Sequence, residues 1–269
     1  VLALLSVFLP VNDLNIAGMT MSVYNLISQY ILIIGSIVAL VFLAVAGNEK
    51  RAAAGLTRQN WKSAVLIVLA FVGIYIVRTA VSVAVQGVSD GSGMQYVKEW
   101  AAMFKNPMMW LNIAALPINY FFVFIAFFGE EYGWRYYLQP VLQKRFGLRA
   151  GVIILGVVWG LWHIPDDLFY YTQTSGIQMI FAQQITCISL GIFFAYAYMK
   201  TQNIWVPVCL HYLNNNLIPI ISGTFSADVL ENQTVSWKDL PVALVLNGLC
   251  FGFFLLADVF KKKEVQEEE

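Results

Sequence analysis

The chain has 269 residues, of which 59% are hydrophobic and only 12% charged. That is about half the charge of an ordinary soluble domain, which excludes a water-soluble globule and indicates a polytopic membrane protein. The formal net charge is zero, which argues against a nucleic-acid partner.

A bilayer core of about 30 Å takes roughly 20 apolar residues per helix. In chain order, VLALLSVFLP at 1–10 reads as the end of a span. Further spans follow at 23–46, 63–86, 109–129 continuing toward 142, 150–163, 178–199, 203–221 and 240–260. Pro117 is expected to kink its span, a break is expected at Pro140, and Pro165 is expected to end the short 150–163 span. The predicted fold class is all-α, a membrane helical bundle forming one domain over 1–269 with seven full or nearly full helices plus a fragment. The polar tail KKKEVQEEE occupies 261–269. The three cysteines, Cys187, Cys209 and Cys250, lie in apolar runs and read as small hydrophobes rather than a disulfide or metal set.

Positive charge sets the orientation. Lys50, Arg51, Arg58 and Lys62 share one loop, Lys144, Arg145 and Arg149 another, Lys200 marks a third, and Lys261–Lys263 follow the last span. All four positions fall on one side of these spans, and that side is expected to be cytoplasmic. Asp90, Asp166, Asp167, Asp228 and Glu231 fall opposite. Asp166 and Asp167 read as solvated cap residues, and Arg78 as a side chain that snorkels from the outer end of its span.

The informative residues are polar ones at membrane depth, where each is costly and a functional hypothesis by default. GEEYGWRYYL carries Glu130, Glu131 and Arg135. On a helix Glu131 and Arg135 stand one turn apart and can pair, while Glu130 points about 100° away and stays free. WGLWH places Trp159 one turn before His163, and HYLNN places His211 one turn before Asn215. Rise per residue puts Glu130 about 21 Å from Lys144, His163 about 20 Å from Ala150 and His211 about 14 Å from Gln202. Any one of these is explained by helix–helix hydrogen bonding. Three helices bringing such groups to a comparable depth favour a site.

These residues resemble the CAAX protease and bacteriocin-processing (CPBP/Abi) family, whose members include the Ras-converting CAAX prenyl endopeptidase. EEYGWR fits EExxxR, WGLWH fits FxxxH with Trp159 in place of Phe, and HYLNN fits HxxxN. The motif-bearing core spans about 120–216. The resemblance implies about eight transmembrane helices around a cavity open to the cytoplasm. It implies catalytic positions at Glu130, His163, His211 and Asn215, with Glu131 and Arg135 completing the first motif and Trp159 packing beside the histidine. It also implies an integral membrane endopeptidase acting near the C-terminus of prenylated or hydrophobic peptides.

Chemically, peptide hydrolysis needs an activated water, a stabilised oxyanion and a proton for the leaving amine. A desolvated Glu130 suits the base and then the acid, His163 the water, and His211 with Asn215 the oxyanion. No cofactor is expected on this reading. The alternative is zinc held by Glu130, His163 and His211, although HExxH is absent. No GxGD pair or GxSxG elbow offers aspartyl or serine chemistry. Two non-catalytic alternatives are a membrane scaffold or immunity protein and a small transporter with a buried carboxylate, the latter disfavoured by the lack of repeated broken helices.

Overall fold

The computed structural model describes residues 14–16, 19–21, 33–34, 36–42, 44–56, 58–224 and 232–261. The span expected at 1–10, part of the one at 23–46, and the tail beyond Lys261 lie outside the described residues. Two three-residue strands, β1 (Leu14–Ile16) and β2 (Met19–Met21), form an antiparallel hairpin. The rest is helical: α1 (Gly47–Ala53), α2 (Trp61–Ser89), α3 (Gln95–Met103), α4 (Pro107–Glu131), a π-helical segment (Tyr132–Leu138), α5 (Gln139–Phe146), α6 (Leu148–Trp162), α7 (Ile164–Phe169), α8 (Gly176–Thr201), α9 (Trp205–Ser222) and α10 (Asp239–Cys250). Two short 3-10 turns, Gly252–Leu256 and Asp258–Phe260, complete the last element.

Among the described residues four continuous stretches are long and apolar enough to cross a bilayer: Trp61–Ser89, Pro107–Phe146, Leu148–Phe169 and Gly176–Thr201. The protein is a polytopic helical membrane protein. α9 is 18 residues long but carries His211 and three consecutive asparagines, and α10 is a shorter apolar helix of 12 residues. The span expected at 240–260 therefore resolves into α10 and two tight turns.

The proline expectations need correction. The helix does not break at Pro140 but runs on through Phe146. The π segment lies directly before Pro140, with the Gln139 amide bonded back to the Trp134 carbonyl, and its wider turn accommodates a residue that has no N–H to offer. Nor does Pro165 end its span. The chain makes one turn at His163, and Pro165 opens α7 in the first-turn position where its missing donor costs nothing. α4 starts conventionally, with the Asn106 side chain accepting from the Met108 amide at 2.9 Å and Pro107 at the first helical position.

Glycine sets the closest helix crossing. A Cβ on Gly156 of α6 would lie 2.6 Å from the Ile188 Cα of α8, and one on Gly191 would lie 3.5 Å from the Gly156 Cα. Small residues allow this backbone approach in a membrane, and the Gln184 side chain seals it by donating to the Gly156 carbonyl at 3.2 Å. On the other side of α8, Phe71, Phe193, Phe194 and Phe251 pack with Tyr75 into an aromatic core joining α2, α8 and the end of α10.

The basic loops gather at one end of the bundle. Asn60 donates to the Thr201 carbonyl and Asn203 to the Gln59 carbonyl, both at 3.0 Å. Gln143 donates to the Leu148 carbonyl at 3.1 Å and reaches the Met199 sulfur at 3.2 Å, while Phe260 packs among Val152 and Ile192. The opposite loops meet at the other end, where the Gln233 amide bonds the Tyr171 carbonyl at 2.9 Å and Trp100 bonds the Ile221 carbonyl at 2.7 Å. Arg78 does not snorkel. It is half-buried, donates to Asn247 of α10 at 3.0 Å and sits 5.7 Å over the Tyr75 ring, because the bundle supplies a polar partner at that depth.

Candidate active site

The junction between α4 and the π segment presents the two carboxylates differently. A stack of Trp205, Phe128, Tyr132 and Tyr136 runs along it, with successive ring centroids 5.3, 5.2 and 4.6 Å apart. The last two hydroxyls donate to the carbonyls of Ala54 and Ala53, which ties the segment to the end that carries the basic loops. π-turns within α-helices recur at functional sites because they re-aim side chains.

Glu131 faces inward and is fully buried. Its Oε2 accepts from Arg135 Nε at 2.8 Å, and its Oε1 accepts from His211 Nδ1 at 2.9 Å. Arg135 is also fully buried. Its Nη1 donates to the Gly191 carbonyl at 3.3 Å, and its guanidinium sits 5.2 Å over the Trp159 ring and 5.5 Å over that of Phe194. Burying two charges costs several kcal/mol each unless their geometry and hydrogen bonds are good. Here both carboxylate oxygens are occupied, so Glu131 is held as a fixed anion.

The histidines are fixed in the same way. His211 uses Nδ1 toward Glu131. His163, at the turn between α6 and α7, donates Nδ1–H to the Trp159 carbonyl at 2.9 Å, since a carbonyl can only accept. In each neutral ring Nε2 is then the bare nitrogen. Trp159 stands between them, its ring 5.9 Å from His163 and 5.4 Å from His211.

Glu130 points the other way, half-buried, and makes no hydrogen bond or ion pair among the described residues. Among the described residues it is the one acidic side chain on the wall of a cavity of about 490 Å³ lined by Phe128, Trp134, Tyr137, Leu138 and Trp162. It lies near enough to His211 and to Cys187 for its charge to act on both.

Sequence reading set Glu130 against the histidines and Asn215, with Glu131 serving Arg135 alone. The structure brings Glu131, Arg135, His211, Trp159 and His163 together, but the carboxylate in hydrogen-bond contact with His211 is Glu131. Asn215 lies one turn beyond His211 on α9, exposed, with its Oδ1 accepting from Asn214 Nδ2 at 2.9 Å. Among the described residues no three His, Cys, Asp or Glu side chains are gathered as a metal site. Of the alternative zinc set, Glu130 and the two Nε2 atoms are the donors left unengaged.

Two residues escaped the sequence reading. The Cys187 sulfur, read as a mere apolar filler, lies 3.8 Å from His163 Nδ1 and accepts from Gln183. The signal was the pair Gln183–Cys187, one turn apart on α8. Asp167, expected to be solvated, is fully buried, and neither carboxylate oxygen has a hydrogen-bond partner among the described residues. The short α7 folds back against α8 and covers it.

Comparison with known proteins addresses the same region. Residues 112–217 match the family model described as Type II CAAX prenyl endopeptidase Rce1-like. The motif-bearing core of this chain is similar to that family over the matched residues. All three polar clusters, Glu130–Arg135, Trp159–His163 and His211–Asn215, fall inside that match. A CAAX prenyl protease 2 from Methanococcus maripaludis is 27% identical over 125 residues, which covers 43% of this chain and 45% of the relative. The chain thus aligns with less than half of that relative's length. No solved structure matches. The matched segment begins within α4 and ends within α9, so α2 and α10 pack against it from outside.

Proposed function

We propose that this chain is an intramembrane endopeptidase that hydrolyses a peptide bond near the C-terminus of prenylated CAAX-type proteins or related hydrophobic peptides. The observation that carries the reading is the division of labour between adjacent carboxylates: Glu131 clamped between Arg135 and His211, Glu130 free on the wall of an apolar cavity. The Rce1-like match and the archaeal CAAX prenyl protease relative support the substrate class.

In this reading Glu130 accepts a proton from a water held near it, and the resulting hydroxide attacks the scissile carbonyl. The bare Nε2 of His163 accepts a hydrogen bond from the same water and orients it. Glu131 Oε1 fixes the His211 ring through Nδ1, and the protonated ring's Nε2–H, with the Asn215 amide, donates to the developing oxyanion. Glu130 then returns its proton to the leaving amine. The cavity wall supplies aromatic and aliphatic surface for an isoprenoid or hydrophobic side chain. The cavity's tie to the end with the basic loops supports access from the cytoplasm.

The test is cleavage of a farnesylated CAAX peptide by wild type and by Glu130→Ala in proteoliposomes. The variant is expected to lose activity by at least a hundredfold, and a variant that cleaves at the wild-type rate removes Glu130 from the mechanism.

A further inference from the structure

The oxyanion role proposed for Asn215 raises a question of orientation. A carboxamide can present either its oxygen or its nitrogen, and only the nitrogen helps an oxyanion. Three side chains outside the motif pattern bear on this.

Tyr75, midway along α2, is buried, and its ring is held on several sides. It packs edge-on against Phe71 at 5.0 Å and lies 5.0 Å from Phe251, with the Arg78 guanidinium 5.7 Å over one face. Its hydroxyl donates to Asn214 Oδ1 at 2.5 Å. Asn214 Nδ2 in turn donates to Asn215 Oδ1 at 2.9 Å. In the structure Tyr75 donates to the Asn214 oxygen, which leaves the Asn214 nitrogen to donate to the oxygen of Asn215. The two N–H groups of Asn215 are then the ones left to donate, and they find no acceptor among the described residues.

The geometry points to Tyr75 and Asn214 as positioning residues that hold the Asn215 amide by its oxygen and leave its nitrogen free to donate to the proposed oxyanion. This rests on the proposed protease reading and extends it to α2, a helix outside the Rce1-like match. A preset donor does not have to turn over during the reaction, and removing one such donor costs about 10²–10³ in kcat in a hydrolase. Losing only its orienting bond costs less, because the amide still populates the productive face part of the time.

Tyr75→Phe removes one oxygen and keeps the clamped ring. It is expected to lower kcat by about fivefold to twentyfold with little change in KM. Asn214→Asp still accepts from Tyr75 but cannot donate to Asn215, and it is expected to lower kcat at least as much. In an Asn215→Ala background, Tyr75→Phe is expected to have no further effect, since nothing remains to orient. A merely structural role for Tyr75 would lower activity equally in both backgrounds and lower the unfolding temperature, and that result overturns the proposal. Unchanged kcat in Tyr75→Phe, with Asn215→Ala impaired, also overturns it while sparing the role of Asn215. Wild-type activity in Asn215→Ala instead overturns the oxyanion assignment, and the proposal falls with it.

Discussion

Glu131 Oε1 lies 2.9 Å from His211 Nδ1, which makes one buried carboxylate answer to two helices at once. Its other oxygen is held by Arg135 at 2.8 Å. Glu130, its neighbour in sequence, has no such bond and faces the cavity. Adjacent glutamates are thus a structural anchor and a chemically available group, and substitution should separate them.

Glu131→Gln leaves Arg135 buried without its counter-charge. Removing one partner of a buried pair costs about 3–5 kcal/mol, and for a chain of this size about 2–4 °C of unfolding temperature is lost per kcal/mol. We expect Glu131→Gln to unfold at least 6 °C below wild type in detergent. Glu130→Gln, at a half-buried position with no partner to lose, should unfold within a degree or two of wild type yet fail to cleave. Thermal unfolding and peptide cleavage, measured on both variants, check this. Equal destabilisation by the two would remove the distinction.

The Gly156–Gly191 crossing holds the carbonyl that receives Arg135. A methyl group on Gly156 meets backbone rather than a flexible side chain, so the helices must separate. Overpacking of this kind costs about 1–3 kcal/mol. Gly156→Ala is expected to lower both the unfolding temperature and kcat, the latter because the Gly191 carbonyl moves away from Arg135. Gly133→Ala is the control. A Cβ there meets nothing within 4 Å, and no loss of stability is expected.

Much of this site was legible in the sequence. Local spacing gave the Glu131–Arg135 pair, because i and i+4 stay neighbours even where the helix widens into a π-turn. It also placed Trp159 beside His163 and Asn215 beside His211. The basic loops indicated that four chain positions share one end, and they do. What spacing cannot supply is the partner across helices. Glu131 and His211 are 80 residues apart, and only packing decides which of two adjacent glutamates faces α9. The burial of Asp167 was hidden for a similar reason. An aspartate two residues after a proline reads as a cap, and nothing local says that α8 will cover it.

The proposed chemistry runs through Glu130, the bare Nε2 of His163 and the Nε2–H of His211, with no metal among them. Cleavage is therefore expected to survive exhaustive dialysis against a chelator, with less than a twofold loss of kcat and no stoichiometric zinc by elemental analysis. Activity that disappears with the chelator and returns with added zinc would instead assign Glu130, His163 and His211 as ligands.

Asp167 offers a prediction of opposite sign. It lies one turn beyond His163, its amide bonded to the His163 carbonyl at 2.9 Å, and its buried carboxylate oxygens have no hydrogen-bond partner among the described residues. An unpartnered polar group costs about 1–3 kcal/mol on mutational scales, and an ionised one costs more. Asn has nearly the same shape and no charge to desolvate. Asp167→Asn removes only the added cost of the ionised form, since the amide stays unpartnered, and it is expected to raise the unfolding temperature. Catalysis should change little, because no step of the proposed reaction uses this side chain. A lowered unfolding temperature would mean that the carboxylate has a bonded water or ion as its partner, and calorimetry on the two proteins in the same detergent decides between the signs.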